Sequence, residues 1–321
     1  MPATPPYRDS SQPVEARAQD LLQRMTLEEK VRQMSQRDSA AFLFGDEVDP
    51  FQVREGFGEM GIGTLQDPRR DPRTNAKTVN ALQRYLVEET RLGVPALVIS
   101  ECLHGHMSDG ATIFPQAIGL AGTWNPRLIG AMAAAIAREA RAVGVAQALA
   151  PDLDLARDPR WGRVEETYGE DPYLTSLLGV AYVKGMQGDG PGIDREHLVC
   201  TVKHYAAHGS PEAGVNLAPV AGSLRDLFTT YLPPFRAAIE AGALSVMPAY
   251  SEYMDVPASQ SYLLLTRVLR EAWGFKGYTY SDYGAINMLH TMHRTAATPA
   301  EAGRLALEAG MDLEAPDDYG F

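Results

Sequence analysis

Short apolar runs that alternate with stretches of helical pattern constrain the fold of this 321-residue chain more than any other feature. Near-continuously apolar strands that alternate with helices predict a parallel sheet covered on both faces. Eight such units predict an α/β fold of the (β/α)8 TIM-like barrel type. The runs cover residues 31–36, 61–66, 95–100, 145–151, 198–204, 243–250, 277–283 and 310–316. Helical signals cover the capping box Thr26–Glu29 and residues 75–91, 125–142, 224–241, 263–273 and 298–309.

The Pro- and Ser-rich beginning of the chain sets the predicted domain boundaries. Residues 1–12 have neither the basic start nor the apolar run of a signal peptide, which predicts an unstructured arm and a cytoplasmic protein. We assign residues 1–15 to this arm and residues 16–321 to a single barrel domain. That length exceeds the ~250 residues of a bare barrel and suits one with loop insertions.

Composition excludes several classes of partner. A net charge of -12 and a pI near 5.1 disfavour nucleic acid and anionic membrane, because both would repel this surface. No apolar run approaches the ~20 residues of a membrane span, and a neutral small molecule is the better partner. Cys102 and Cys200 lie in or beside predicted core strands, so we expect buried, reduced thiols. Homo-oligomer formation stays open.

Polar and aromatic side chains follow several apolar runs, and the active site of such a barrel lies at the carboxyl ends of its strands. For a single Asp after a strand, capping of the next helix is the simpler interpretation; the repetition favours a pocket. The sequence has no HExxH, CxxC, GxSxG or P-loop pattern, so we predict no metal and no cofactor. Acids, donors and aromatic faces suit carbohydrate hydrolysis. The candidates are Glu101, Lys203, His204, Met247, Tyr250, Asp282, Tyr283 and the loop 157–170.

Ordered motifs from about residue 16 to the end of the chain carry a family resemblance. They are ECLHG (101–105), TIFPQ (112–116), ARDPRWGR (156–163), EETYGEDP (165–172), KHYAAHG (203–209), MPAY (247–250), WGFKG (273–277) and SDY (281–283). With them the chain resembles the N-terminal barrel of family 3 glycoside hydrolases of the β-glucosidase and β-xylosidase type. So many motifs in one order make a chance match improbable.

The resemblance implies a role for each candidate. Asp282 is implied as the nucleophile that forms a covalent glycosyl-enzyme in a retaining mechanism, with its pKa kept low by Arg163 and Lys203. The implied substrate-binding residues are Glu101, Arg163, Lys203, His204, Met247, Tyr250 and Tyr283, the last at a place where many relatives carry Trp. Arg157, Asp158 and Arg160 are better explained as a salt-bridge network, Trp161 as packing, and His104 and His208 as side chains either beside or behind the substrate.

The proton donor is the weak point of this assignment. In two-domain relatives a second α/β domain supplies the acid/base Glu, and this chain is expected to lack that domain. The loop 208–216 also lacks the Asp-x-His dyad of single-domain N-acetylglucosaminidases, which leaves Glu212 as a substitute acid or as a residue that fixes the loop. The main hypothesis is an exo-acting β-glycosidase on terminal β-D-glucosyl or β-D-xylosyl residues of saccharides. The alternative is a sugar-binding barrel with little turnover.

Overall fold

A seven-stranded parallel sheet that curls around an apolar interior is the centre of the molecule. The computed structural model describes residues 5–190, 192–316 and 320–321. The strands lie in chain order around the sheet: β1 (Gln36–Asp38), β2 (Thr64–Gln66), β3 (Leu97–Ser100), β4 (Gln147–Ala148), β5 (Val199–Tyr205), β6 (Ser245–Pro248) and β7 (Tyr278–Thr279). Every neighbouring pair is parallel.

The eighth run closes the ring without forming a full strand. Within residues 310–316, Leu313 makes a parallel bridge to Tyr280. The Ser281 N–H donates to the Leu313 carbonyl at 2.9 Å, and the Glu314 N–H donates to the Met34 carbonyl at 2.9 Å. The last extended segment therefore lies between β7 and the residues just before β1, and the predicted TIM-like barrel is confirmed.

Helices cover the outside of the sheet. They are α1 (Val14–Arg24), α2 (Leu27–Gln33), α3 (Pro50–Phe57), α4 (Pro72–Glu88), α5 (Ala117–Ala121), α6 (Pro126–Ala142), α7 (Pro172–Gln187), α8 (Pro233–Glu240), the π-helical α9 (Leu263–Ala272), α10 (Ala285–Thr291) and α11 (Pro299–Ala309). Asn125 and Thr298 cap α6 and α11 with their side chains, as the sequence pattern indicated. None of the described helices is long and apolar enough to cross a membrane.

The structure differs from the predicted elements at three places. Residues 31–33 of the first apolar run belong to α2, because the Thr26–Glu29 capping box starts a helix that continues through them; the strand begins only at Gln36. The predicted helix 224–241 is interrupted, with a π turn at Leu227–Tyr231 before α8. α7 was not predicted, because it is apolar almost all round and shows no one-sided stripe.

The described part of the N-terminal arm contacts the barrel. The Tyr7 hydroxyl donates to the Leu92 carbonyl at 2.8 Å, and Arg8 Nη2 donates to the same oxygen at 3.1 Å. The Tyr7 N–H donates to Asp20 on α1. The prediction of an unstructured arm is therefore wrong from residue 5 onward, since these bonds fix it; residues 1–4 lie outside the described part.

Inside the barrel, one apolar cluster fills the space below the carboxyl ends of the strands. Its buried members are Ile99, Leu149, Met247, Tyr280, Leu313 and Ala315. Between the sheet and the helices, Cys102 and Cys200 are both buried free thiols, as expected from their strand positions. This packed interior supports the polar side chains that project from the strand ends above it.

Candidate active site

Asp282 lies just past β7 and is 6% exposed. Its Oδ1 accepts two hydrogen bonds at 2.7 Å, one from the Tyr250 hydroxyl and one from the Tyr283 N–H. Its Oδ2 has no donor among the described residues and lies 3.4 Å from His204 Nε2. Burial raises the pKa of Asp282, although the charge of Lys203 opposes the shift. The low pKa expected from the neighbouring cations is therefore not observed, because loss of solvent outweighs them.

Lys203 and Glu101 form an ion pair at the same end of the barrel. Lys203 Nζ donates to Glu101 Oε2 at 3.0 Å, and the lysine side chain is 4% exposed while the glutamate side chain is 28% exposed. Burial alone would lower the pKa of Lys203, but the carboxylates of Glu101 and Asp282 more than offset this and raise it. Lys203 is thus a fixed cation, and Glu101 faces the open side.

Arg163 joins the loop after β4 to the end of β5. Its Nε and Nη2 bind both oxygens of Glu166, at 2.7 and 2.8 Å, in a bidentate pair. Its Nη2 also lies 3.2 Å from His204 Nε2, and its Nη1 lies 3.3 Å from His208 Nε2. Since a guanidinium only donates, both imidazole nitrogens accept. Burial lowers the pKa of both histidines, that of His208 to about 3, so both rings are neutral.

Two buried carboxyl groups lie behind His204. Asp154 Oδ2 is 2.7 Å from His204 Nδ1, and Asp152 Oδ2 is 3.7 Å from it. These three residues are close enough together for a metal site. Two atoms bound to one ion at about 2.1 Å lie roughly 3.4 Å apart in tetrahedral geometry, however, and a separation of 2.7 Å is that of a hydrogen bond. The set therefore fits a proton-bridged triad better than a metal centre.

A cavity of about 460 Å³ shares Glu101, Arg163 and Lys203 with this group of side chains. It is lined by Arg69, Glu101, Leu103, His104, Met107, Gln116, Arg163, Glu165, Glu166 and Lys203. The cavity has the size of a small-ligand site, and its charged groups converge from β3, β5 and the loop after β4. Such a site can hold a polar, uncharged ligand through several hydrogen bonds at once.

Residues 26–320 match the Glycosyl hydrolase family 3 N terminal domain. The chain belongs to this family. It is 38% identical over 99% of its length to the periplasmic β-glucosidase of Salmonella typhimurium, and 36% identical over 98% to a putative β-xylosidase of Formosa agariphila. It covers 39% and 43% of those two proteins. The chain therefore spans about two fifths of the length of these relatives.

Solved structures of family 3 relatives have the same fold. A β-glucosidase from Erythrobacter marinus superposes with a TM-score of 0.91 at 38% identity, over 98% of this chain and 42% of that one. A β-glucosidase from Listeria innocua gives 0.84 at 35% identity, over 92% of this chain and 41% of that one. The Listeria enzyme has been solved with glucose, and a mutant of it has been solved with laminaribiose.

Of the remaining predicted site residues, three lie at or below Asp282 and one lies away from the cavity. Tyr250 contacts Asp282, and Tyr283 donates through its hydroxyl to Gln66 at the end of β2. Met247 is 1% exposed and packs in the barrel interior beneath Tyr283, so it supports the site from below. Glu212 is exposed in a short turn, Glu212–Gly214, and does not line the cavity.

The loop after β4 supplies both expected and unexpected residues. Asp158 binds Arg160 on the surface, and Trp161 is buried with its indole N–H donated to Asn216, so both have structural roles as predicted. Glu166 holds Arg163, and Glu165 lines the cavity. The sequence placed this loop at the site but could not rank its acids, because only the fold shows which carboxylate faces inward.

Proposed function

We propose that this chain is the catalytic barrel of a retaining, exo-acting β-glycosidase that removes terminal β-D-glucosyl or β-D-xylosyl residues. The proposal rests mainly on the hydrogen bonding of Asp282: two donors fix its Oδ1, and its Oδ2 has no donor among the described residues. An oriented carboxylate with one free oxygen beside Lys203 and Arg163 suits attack on an anomeric carbon. Membership of family 3 supports the same assignment.

The reaction has two steps. Asp282 Oδ2 forms a bond to the anomeric carbon while the bond to the leaving oxygen breaks, and a general acid gives that oxygen a proton. Water then attacks the glycosyl-aspartate, loses a proton to the same group acting as base, and frees the sugar and the carboxylate. Lys203, Arg163 and Glu101 bind the sugar hydroxyls through charge-assisted hydrogen bonds.

Trapping tests the first step. A 2,4-dinitrophenyl 2-deoxy-2-fluoro-β-glycoside slows breakdown of the intermediate, so the chain is expected to gain the mass of one fluorosugar. Peptide mapping should place that mass on the peptide that contains Asp282. Labelling of another carboxylate, or rapid release of dinitrophenolate with no covalent adduct, would contradict the proposed mechanism.

The identity of the acid separates the enzyme from a sugar-binding barrel with little turnover. Of the carboxylates at the described cavity, Glu101 is paired with Lys203 and Glu166 with Arg163. Glu165 lies exposed on the cavity lining, and Glu212 is exposed outside it. Both side chains are exposed, whereas the general acid of a glycosidase typically lies in a buried, apolar place. This observation favours slow turnover of poor leaving groups by the 321-residue chain.

Leaving-group dependence measures this difference. General acid catalysis raises the rate about 10²- to 10⁴-fold when the leaving group is poor. The chain should therefore release dinitrophenolate from an activated glycoside readily but cleave xylobiose or cellobiose only slowly. Azide should speed turnover and yield a β-glycosyl azide, because this anion attacks the intermediate without base assistance. Ordinary rates on disaccharides without any azide product would instead identify an acid within the chain, and the Glu165→Ala and Glu212→Ala variants would then tell the two candidates apart.

A further inference from the structure

The carboxyl groups of Asp152 and Asp154 are a buried pair that the proposed reaction does not use. Each residue is 1% exposed, and each follows β4 in the stretch that pairs with β5 through the Lys203 backbone. The Asp154 N–H donates to Asp152 Oδ1 at 2.8 Å. Asp152 Oδ2 and Asp154 Oδ1 have no donor among the described residues. Two unpaired carboxylate oxygens in a buried place need an explanation, since burial of an unpaired charge is costly.

One proton shared by Asp152 and Asp154 explains how their two unpaired oxygens can be buried. Two neighbouring carboxyl groups in a low-dielectric site do not both ionise, and their protons leave in steps that belong to the pair. Burial raises the pKa of both groups, that of Asp152 to about 7. Asp154 Oδ2 accepts two N–H groups of His204, whereas Asp152 Oδ2 has no donor among the described residues, so the shared proton belongs on Asp152. The titratable groups that face the pair carry both signs of charge. They are Arg163, Lys203, Glu166 and Tyr168, while His208 and Asp282 face His204 on its other sides.

His204 is the residue on which the pair acts. Asp154 Oδ2 lies 2.7 Å from Nδ1 of this ring and also accepts the His204 backbone N–H at 3.3 Å. On its other side, Nε2 faces Arg163 Nη2 at 3.2 Å and Asp282 Oδ2 at 3.4 Å. Because Arg163 is a donor only, Nε2 is an acceptor and the ring proton is on Nδ1.

We propose that Asp154, kept ionised by the proton that Asp152 holds, is a positioning residue that fixes His204 in its Nδ1–H tautomer. The lone pair on Nε2 then faces the sugar site, and Asp282 Oδ2 receives no hydrogen bond from His204. The opposite tautomer would donate Nε2–H to Asp282 Oδ2 and occupy the oxygen that must attack. The pair therefore keeps the nucleophile free, an inference that rests on the function proposed above for Asp282.

Nitrogen-15 NMR tests the tautomer without reference to activity. The ring shifts of His204 are assigned by comparison with the His204→Gln variant, and they distinguish a protonated from an unprotonated nitrogen. In the wild-type chain near pH 6.5 we expect Nδ1 protonated and Nε2 unprotonated. A protonated Nε2 would overturn the proposal, whether or not the chain hydrolyses any glycoside.

Variants of Asp154 test the cause. Asp154→Ala removes the acceptor, so the Nε2–H form should become populated and kcat on a dinitrophenyl β-xyloside should fall about 10- to 100-fold, with a smaller change in KM. Asp154→Asn is the conservative rescue, since its amide oxygen can accept Nδ1–H while its NH2 group donates to Asp152. It should restore the tautomer and most of the lost kcat.

Asp152→Asn tests the role of Asp152 independently of that of Asp154. Its amide can donate to Asp154 in place of the shared proton and has no proton to transfer to Asp154, so the Nδ1–H tautomer should persist to at least as low a pH as in the wild type. Unchanged ring shifts and unchanged kcat in a folded Asp154→Ala chain would reject the positioning role. Loss of the tautomer in Asp152→Asn would reject the shared proton.

Discussion

Asp282 combines a fixed oxygen with a free one, and this asymmetry is set by three neighbours. The Tyr250 hydroxyl and the Tyr283 N–H both bind Oδ1, whereas the facing His204 nitrogen is an acceptor and offers no proton to Oδ2. Burial favours the neutral form of Asp282, and Lys203 favours the charged form. The fold thus holds the Asp282 carboxylate where burial disfavours its charge, as expected where function has a cost in stability.

The first prediction follows from this cost. Asp282→Asn keeps an acceptor for Tyr250 and Tyr283, and its amide can donate to His204 Nε2, so the fold should be as stable as the wild type or more so. Activity on a dinitrophenyl glycoside should fall by at least ~10³-fold, because the nucleophile is lost. Thermal unfolding and initial rates are the measurements. Asp46→Asn, at an exposed turn, is the matched control, and retention of activity in Asp282→Asn would place the nucleophile elsewhere.

The second prediction concerns the length of Glu101. A glutamate at this place should crowd the space of a hexose hydroxymethyl group, so we expect the wild-type chain to hydrolyse xylosides at least as well as glucosides. Glu101→Asp should raise the glucoside-to-xyloside ratio of kcat/KM by up to ~10-fold, in line with the value of one methylene group in a pocket. Glu165→Asp shortens another side chain of the same cavity and serves as control. A strong glucoside preference in the wild type would refute this reasoning.

At the level of single residues, the sequence predicted the side chains that come directly after strands. Asp282, Lys203 and His204 were identified because the carboxyl ends of parallel strands converge. The roles of Asp152 and Asp154 were missed, since nothing in a local pattern shows that a loop residue faces a histidine about fifty positions away. The pKa of Asp282 was also misjudged, because burial depends on the whole barrel.

At the level of elements, the loops after β4 and β5 are joined at the barrel mouth by side-chain contacts. Trp161 Nε1 donates to Asn216 Oδ1 at 2.8 Å, and the Trp161 ring meets the edge of His208 with centroids 5.3 Å apart. His208 in turn contacts Arg163. The loop after β5 is therefore connected to Arg163 directly through His208 and also through the buried Trp161 indole.

The third prediction tests this connection. Asn216→Ala leaves the indole N–H with water as its only substitute, so we expect a loss of about 1 kcal/mol in the free energy of unfolding. KM should rise several-fold with little change in kcat, because Arg163 is held less firmly. Urea unfolding and steady-state kinetics are the measurements. Val215→Ala, an exposed neighbour, is the control; equal KM values in both variants would show that the two loops are not coupled.

Helix ends were better predicted than strand ends, for a physical reason. A cap such as Thr298 or Asn125 is a local interaction that the sequence displays directly. The first strand begins at Gln36 and not at residue 31, because the capped helix α2 competes for the same apolar residues. The eighth run has strand composition but makes a single bridge, at Leu313. Its extent depends on pairing with both ends of the sheet, which no local pattern encodes.

At the level of the whole molecule, the barrel buries neutral histidines that would be charged in the unfolded chain at mildly acidic pH. His208 is fully buried, donates Nδ1–H to Ser251 at 3.0 Å and has its pKa lowered to about 3 by burial and by Arg163. Between about pH 6.5 and pH 3 the unfolded chain binds this proton and the folded chain does not. Stability therefore falls as the pH falls through this window.

The last prediction is a change in the pH dependence of stability. Replacing His208 with Gln removes one proton that binds only to the unfolded chain, so the slope of unfolding free energy against pH should decrease by up to about 1.4 kcal/mol per pH unit between pH 6 and pH 4. Relative to the wild type, the free energy of unfolding of the variant should thus be lowest near pH 7 and should rise toward pH 4. Urea titrations at several pH values measure the difference. His197→Gln, in the segment before β5, is the matched control. A constant difference between wild type and His208→Gln across this range would mean that His208 is protonated in the folded barrel, and the hydrogen bond from Arg163 to its Nε2 would then have to be abandoned.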